Sequence, residues 1–155
     1  MNIYIGGEGS AVGLKNLIYT TLNDQGYKVF DLSEKSTSEY GASYWVGKAV
    51  SEDDSSRGIV LCGNGFGAQH IVSLHKGIRS INCVSVSQAK SGRIINDANV
   101  LALGARLLNV SVALNIVETF LNTEFASGLD EDKKSHLINS FERIESLREE
   151  LSKQR

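Results

Sequence analysis

"GIVLCGNGFGAQH", residues 58–70, decides the fold. An unbroken apolar run, Ile59-Val60-Leu61, ends in a thiol, Cys62, and the thiol opens a turn containing Gly63, Gly65 and Gly67. A strand that is apolar at every position is buried on both faces, and such strands belong to parallel sheets covered by helices. Apolar residues at helical spacing then predict a helix from about Phe66 to His75. The unit is strand, glycine turn, helix.

The same rhythm extends in both directions. Ile3-Tyr4-Ile5 reads as a first strand stopped by Gly6-Gly7, and Leu14, Leu17, Ile18 and Leu22 follow at helical spacing up to Gly26. Residues 28–32 read as a second strand, 33–41 as a polar loop, and Trp45, Val46, Ala49 and Val50 as a short helix. Residues 81–86 are the expected fourth strand, 88–95 a short helix, and 100–103 the fifth strand. Ser111 is the expected N-cap of a helix over 112–122. Alternation of this kind predicts an α/β fold, a three-layer α/β/α sandwich around a five-stranded parallel, Rossmann-like sheet with right-handed crossovers. Ligands of such sheets sit at the carboxyl ends of the strands, where neighbouring loops diverge. Cys62 with its glycines, and Gly6-Gly7-Glu8-Gly9, occupy two such ends.

The tail differs. From Asp130 onward there are seven acids and six bases, with Leu137, Phe141, Ile144, Leu147 and Leu151 at intervals of 4, 3, 3 and 4. This predicts one long amphipathic helix with a narrow apolar stripe, along which Glu149 and Lys153 stand four apart in the favourable order. The organisation is therefore an α/β domain over 1–128 and a C-terminal helix over 129–155, whose greasy edge is expected to meet a second subunit.

Bulk composition narrows the function. A chain of 155 residues, 41% apolar and 22% charged, has the size and make-up of one globular domain. A net charge of −2 gives no footprint for nucleic acid. Its apolar runs fall short of the roughly 20 residues of a membrane span. Met1-Asn2-Ile3 leads directly into a strand, so no targeting peptide is expected. Cys62 and Cys83 are expected reduced, and the expected compartment is the cytoplasm.

The turn at 62–67 matches neither familiar phosphate cradle. The sixth place of a dinucleotide fingerprint, counted from Gly63, is Ala68, and a P-loop would need Lys-Ser/Thr where Ala68-Gln69 stands. What remains is general physics. Backbone N–H groups at a helix start attract an anion or a developing oxyanion, and glycines allow close approach. A thiol near a helix N-terminus has a lowered pKa in general and can act as base or nucleophile. A base beside an oxyanion cradle is what proton abstraction next to a carbonyl requires. The plainer alternative makes Cys62 a small apolar residue at a strand end, with the glycines serving only the turn.

Longer motifs add a resemblance. Residues 57–67 are similar to "GILICGTGIG", residues 76–80 to "PGIRA", and residues 96–106 match "NDANVLALGAR" throughout. These are motifs of the type B ribose-5-phosphate isomerases and galactose-6-phosphate isomerase subunits, and the resemblance runs from residue 1 to about 145. It implies an aldose–ketose isomerase of a small phosphorylated sugar, working through an enediolate without metal or other cofactor. It also implies a homodimer or homotetramer, or a heteromer with a homologue, with active sites shared between subunits. Carried over by position, Cys62 is the base, and Gly63, Asn64, Gly65 and Gly67 line the anion hole. Asn96, Glu8 and Tyr40 fall at sugar-binding positions, and Arg106 and Lys133 at phosphate-binding ones.

The departures are specific. Glu8-Gly9 replaces the family's Asp-His, and Asn64 its threonine. Ile95 stands where the family has the histidine that opens the sugar ring. Ser127-Gly128-Leu129-Asp130 replaces Gly-Gly-Arg-His, with Lys133 at the second arginine's place. None of His70, His75 and His136 occupies a family site position. Leucine supplies no phosphate contact and lysine only a point charge. General acid–base help contributes typically 10²–10⁴-fold, so loss of the histidine penalises a cyclic sugar far more than a four-carbon or otherwise open-chain one. The alternative is a catalytically impaired member that binds sugar phosphate or completes a partner's site.

Overall fold

The computed structural model describes residues 1–36 and 41–154. Five strands form one sheet: β1 (Asn2–Gly7), β2 (Lys28–Asp31), β3 (Arg57–Cys62), β4 (Ser80–Asn82) and β5 (Val100–Gly104). All pairs are parallel, in the order β2-β1-β3-β5-β4. Among the described residues six α-helices connect or follow them: α1 (Val12–Asp24), α2 (Ala42–Ser51), α3 (Phe66–Val72), α4 (Val86–Asn96), α5 (Val110–Asn122) and α6 (Glu131–Lys153). The three-layer α/β architecture expected from the sequence is present.

Strand periodicity explains the layers. Along β3, Ile59 and Leu61 join one core with Leu101 and Leu103 of β5, Ile18 of α1 and Ile116 and Phe120 of α5. The intervening Val60, with Val100 and Ala102, joins a second core against Val46 and Val50 of α2 and Val72 of α3. Successive residues of a strand point to opposite faces, so an apolar run fills both layers at once. The chain runs from β1 outward to β2 and then crosses back to β3. The order therefore reverses between β1 and β3, and the loops after these two strands diverge there.

Several boundaries differ from the sequence expectation. The fourth strand ends at Asn82, not at residue 86. Val84 is half exposed, and the Ser85 hydroxyl accepts from the Gln88 N–H at 3.3 Å, so β-prone residues there serve a helix entry instead. The helix expected to reach His75 stops at Val72. Asn109, not Ser111, caps α5, its side-chain oxygen accepting from the Val112 N–H at 2.9 Å. Asparagine is a strong N-cap and lies earlier in the chain. Glu149 pairs with Lys76 across the fold, not principally with Lys153.

Much of the 96–106 motif is structural. Asn99 accepts from the Arg79 N–H at 2.8 Å and donates to the Gly77 carbonyl at 2.9 Å. Asp97 binds Arg79 at 2.7 Å and the buried Arg93 at 2.8 Å. These bonds fix the segment entering β4 to the segment entering β5.

No residue of α6 is buried. Arg148 donates to the His75 carbonyl at 3.0 Å, and Phe141 packs on Phe125 with ring centroids 5.7 Å apart. Ile144, Leu147 and Leu151 nevertheless remain 55%, 53% and 53% exposed beside Leu74. Among the described residues no helix is long and apolar enough to cross a membrane. Cys62 and Cys83 are free, and burial pushes the Cys83 thiol up to about 11.

His75 is half-buried against Gly47 and Tyr44, with its Nε2 enclosed and unpartnered. Burial pulls its pKa below the ordinary histidine value, opposed by a contact with the Tyr44 backbone. The unfolded chain then holds more protons than the folded one just below pH ~6.5, so stability falls as pH drops through that value. Melting temperature is expected to decline less between pH 7 and pH 5 in His75→Gln than in the wild type. Equal declines would remove His75 from the account.

Candidate active site

The carboxyl ends of β1 and β3 frame a cavity of about 240 Å³ lined by Gly7, Glu8, Gly41, Ala42, Cys62, Gly67 and Ala68, among others. Cys62 is the last residue of β3, half-buried at the lip. The turn folds back on it, and the Gly65 N–H donates to the Cys62 Sγ at 3.1 Å. Asn64 Oδ1 accepts from the Phe66 N–H at 3.1 Å and lies 3.8 Å from the sulfur. A thiolate at this place is thus met by a backbone donor, and a thiol by a carbonyl acceptor.

Tight packing holds the turn. Gly65 has φ +84°, and a Cβ there would stand 2.7 Å from Asn82 Nδ2. From below, a Cβ on Gly104 would lie 2.8 Å from the Asn64 carbonyl carbon and oxygen. Beyond the strand end, Ala105 and Arg106 donate N–H bonds to the Cys62 and Gly63 carbonyls, both at 2.9 Å. The Arg106 side chain lies alongside Gly63, and its Nε would be 3.7 Å from a Cβ there.

Two of the turn's N–H groups are engaged locally. The Gly65 N–H is directed at sulfur, and the Phe66 N–H is taken by Asn64. The first N–H groups of a helix have no intrahelical acceptor, and Gly67 and Ala68 line the cavity in the first turn of α3.

Glu8 closes the opposite wall. Its Oε1 accepts from the Ala42 N–H at 2.5 Å and so caps α2, whose N-cap, Gly41, has no side chain. The positive end of α2 fixes one carboxylate oxygen, and among the described residues no donor reaches the other. Behind this wall the buried Lys15 pairs with Asp31, which also accepts from the Ser33 N–H at 2.9 Å. Burial acts to raise the Asp31 pKa, but the Lys15 and Ser33 contacts outweigh it and hold the carboxyl below its ordinary value. The Gly7 N–H donates to the Ser33 hydroxyl at 3.2 Å, which pins the loop after β1. Sequence reading missed this support; Lys15 is the lone charge of α1 before Asp24, which was its one visible signal.

The predicted site residues fall into two groups. Cys62, Gly63, Asn64, Gly65, Gly67, Glu8 and Arg106 gather at the carboxyl ends of the strands. Asn96 lies on α4 ahead of β5, and Lys133 shares a cavity with Ile95. Asn96 lines a separate hollow with Gln69, Asn82 and Cys83, and Asn82 Nδ2 donates to the Asn64 carbonyl of the glycine turn at 3.3 Å. Neither Asn96 nor Lys133 lines the Cys62 cavity. Tyr40 lies outside the described residues. Among the described residues no group of three His, Cys, Asp or Glu side chains is arranged to hold a metal ion.

Comparison with known proteins agrees with this architecture. A sequence model of the ribose/galactose isomerases matches residues 3–138. D-erythrulose-4-phosphate isomerase of Pectobacterium atrosepticum is 34% identical over 132 residues, covering 83% of this chain and 87% of that protein. 4-deoxy-4-sulfo-D-erythrose isomerase of a Clostridium species is 26% identical over 155 residues, covering 97% and 98%. The structure of ribose-5-phosphate isomerase B from Clostridium thermocellum superposes with a TM-score of 0.83 at 31% identity, covering 97% of this chain and 99% of that one. That of Mycoplasma genitalium ribose-5-phosphate isomerase B, which holds ribulose-5-phosphate, gives 0.80 at 27% identity, covering 94% and 96%. The chain belongs to the ribose/galactose isomerase family and is an aldose–ketose isomerase.

Proposed function

We propose that the protein interconverts a four-carbon aldose 4-phosphate and its ketose, with Cys62 as the carbon base. The observation that carries the chemistry is the Cys62 sulfur at the lip of a cavity that also holds Glu8 and the first turn of α3. The thiolate takes the proton from C2 of the aldose or C1 of the ketose. The C–H electron pair becomes the C1–C2 double bond, and the carbonyl oxygen takes up the negative charge. Gly67 and Ala68 N–H groups hold that oxygen. The protonated sulfur then returns its proton to the other carbon while the hydroxyl proton moves between O2 and O1, so that the former hydroxyl oxygen becomes the new carbonyl and the former carbonyl oxygen the new hydroxyl. The free carboxylate oxygen of Glu8 accepts from a sugar hydroxyl.

Residue 95 supports the substrate size. A tetrose carrying phosphate on O4 has no free hydroxyl with which to close a five-membered ring, so it stays open. Such a sugar has no need of an acid at the ring-opening position, where this chain has Ile95. Two relatives with four-carbon names fit the same reading. A second copy of the chain completes the site, its Asn96 and Lys133 face meeting the Cys62 cavity.

Tetrose 4-phosphate is expected to exceed ribose 5-phosphate by about 100-fold or more in kcat/KM, the scale of one missing general acid. Ile95→His is expected to narrow that gap by raising the five-carbon rate. A wild type that turns over ribose 5-phosphate equally well contradicts the substrate assignment.

A further inference from the structure

Beyond the thiol cavity, a second hollow of about 360 Å³ lies where the end of α4 meets the start of α6, lined by Ile95, Leu129, Asp132, Lys133, His136 and Leu137. It adjoins Asn96, the exposed residue next to Ile95. Lys133 and His136 stand three apart on α6 and so share one face of the helix. Both are exposed. Lys133 leans on Asp130 at 3.2 Å. The bond that the Ser140 hydroxyl makes to His136 reaches its backbone carbonyl, and among the described residues nothing hydrogen-bonds the imidazole.

We propose that His136 joins Lys133 in the subsite for the substrate's terminal anion, reaching a sugar bound at Cys62 of a second copy. The inference rests on the shared-site reading above. A phosphate dianion is poorly matched by one ammonium, a point charge without bidentate geometry and here partly neutralised by Asp130. Imidazole adds a directed N–H donor from the same helix face. Arg106 of the chain that supplies Cys62 closes on the anion from the other side. Ile95, Leu129 and Leu137 form the apolar floor of the hollow beside Lys133 and His136. His136 therefore offsets the replacement of arginine by Leu129 without restoring a ring-opening acid at residue 95.

Binding of inorganic phosphate, followed by calorimetry, tests the subsite independently of turnover. His136→Ala is expected to weaken it about tenfold and to raise the KM for tetrose 4-phosphate by a similar factor at unchanged kcat, the pattern of lost uniform binding. His136→Lys is expected to restore both, and Cys62→Ala to leave phosphate binding intact. Placement across the interface predicts complementation. Random mixing of Cys62→Ala and His136→Ala chains leaves about a quarter of sites whole, since half the dimers are mixed and each keeps one intact site. Turnover at low substrate should recover accordingly. Unchanged phosphate binding and KM in His136→Ala overturn the proposal, and so does a mixture with no recovery. A wild type whose phosphate binding depends on His136 but which isomerises no sugar phosphate supports the subsite and defeats the isomerase reading.

Discussion

Cys62→Ala is expected to lower isomerase turnover by ~10²–10⁴-fold while leaving the fold and its melting temperature nearly unchanged. Both halves follow from position. The sulfur ends β3 at a half-buried lip, so its loss opens no sealed core cavity. Strand pairing of Cys62 with Gly104 uses the backbone, which alanine keeps. Chemistry has no such substitute, because methyl accepts no proton and the Gly65 N–H, 3.1 Å from the sulfur, is left without its partner. Cys62→Ser is expected to fall nearly as far, since a hydroxyl is far harder to ionise than a thiol. Substantial turnover in both variants, measured with tetrose 4-phosphate, would transfer the base role elsewhere.

Gly104→Ala is expected to cost both stability and activity although residue 104 touches no substrate. The new Cβ would sit 2.8 Å from the carbonyl carbon and oxygen of Asn64, a backbone neighbour that no rotamer change can move. The turn must lift. Gly65 is trapped between Asn82 and the Leu103 carbonyl carbon, so the strain passes to the bond from its N–H to Cys62. Overpacking of this kind costs ~1–3 kcal/mol. For a domain of this size that is about 2–4 °C of melting temperature per kcal/mol. A displacement near 1 Å at a reacting centre costs about 10²-fold in rate. Gly13→Ala is the control: a Cβ there meets nothing within 4 Å, and in the first turns of α1 it should leave activity unchanged and raise stability slightly. A Gly104→Ala enzyme with wild-type kcat would mean that the turn's position does not matter.

The fold was legible because strands apolar at every position announce a sheet covered on both faces, and β3 and β5 do so without interruption. Element ends were less legible. Val84 and Val86 look like strand, yet they lie half exposed where Ser85 turns the chain into α4. Local capping there outweighs β propensity, and no residue count reveals it. Within the site, Cys62 and Glu8 could be placed because each stands at the carboxyl end of a strand and ahead of a helix in a parallel sheet. The separation of Asn96 from Arg106 was implicit in the same logic, since one precedes β5 and the other follows it. The Glu8 bond to the Ala42 N–H joins residues 34 apart and depends on where α2 begins, which the sequence around Gly41 does not mark. Lys15 and Asp31 were hidden for a related reason: a buried ion pair looks like two surface charges until the sheet brings them together.

The account rests on carbon-bound hydrogen leaving as a proton to sulfur. The most direct measurement is magnetic resonance of D-erythrulose 4-phosphate with the enzyme in heavy water. Deuterium is predicted at C1 of the ketose and C2 of the aldose with the wild type, and at neither carbon with Cys62→Ala. Isomerisation without any solvent label, or label that persists in Cys62→Ala, would contradict it.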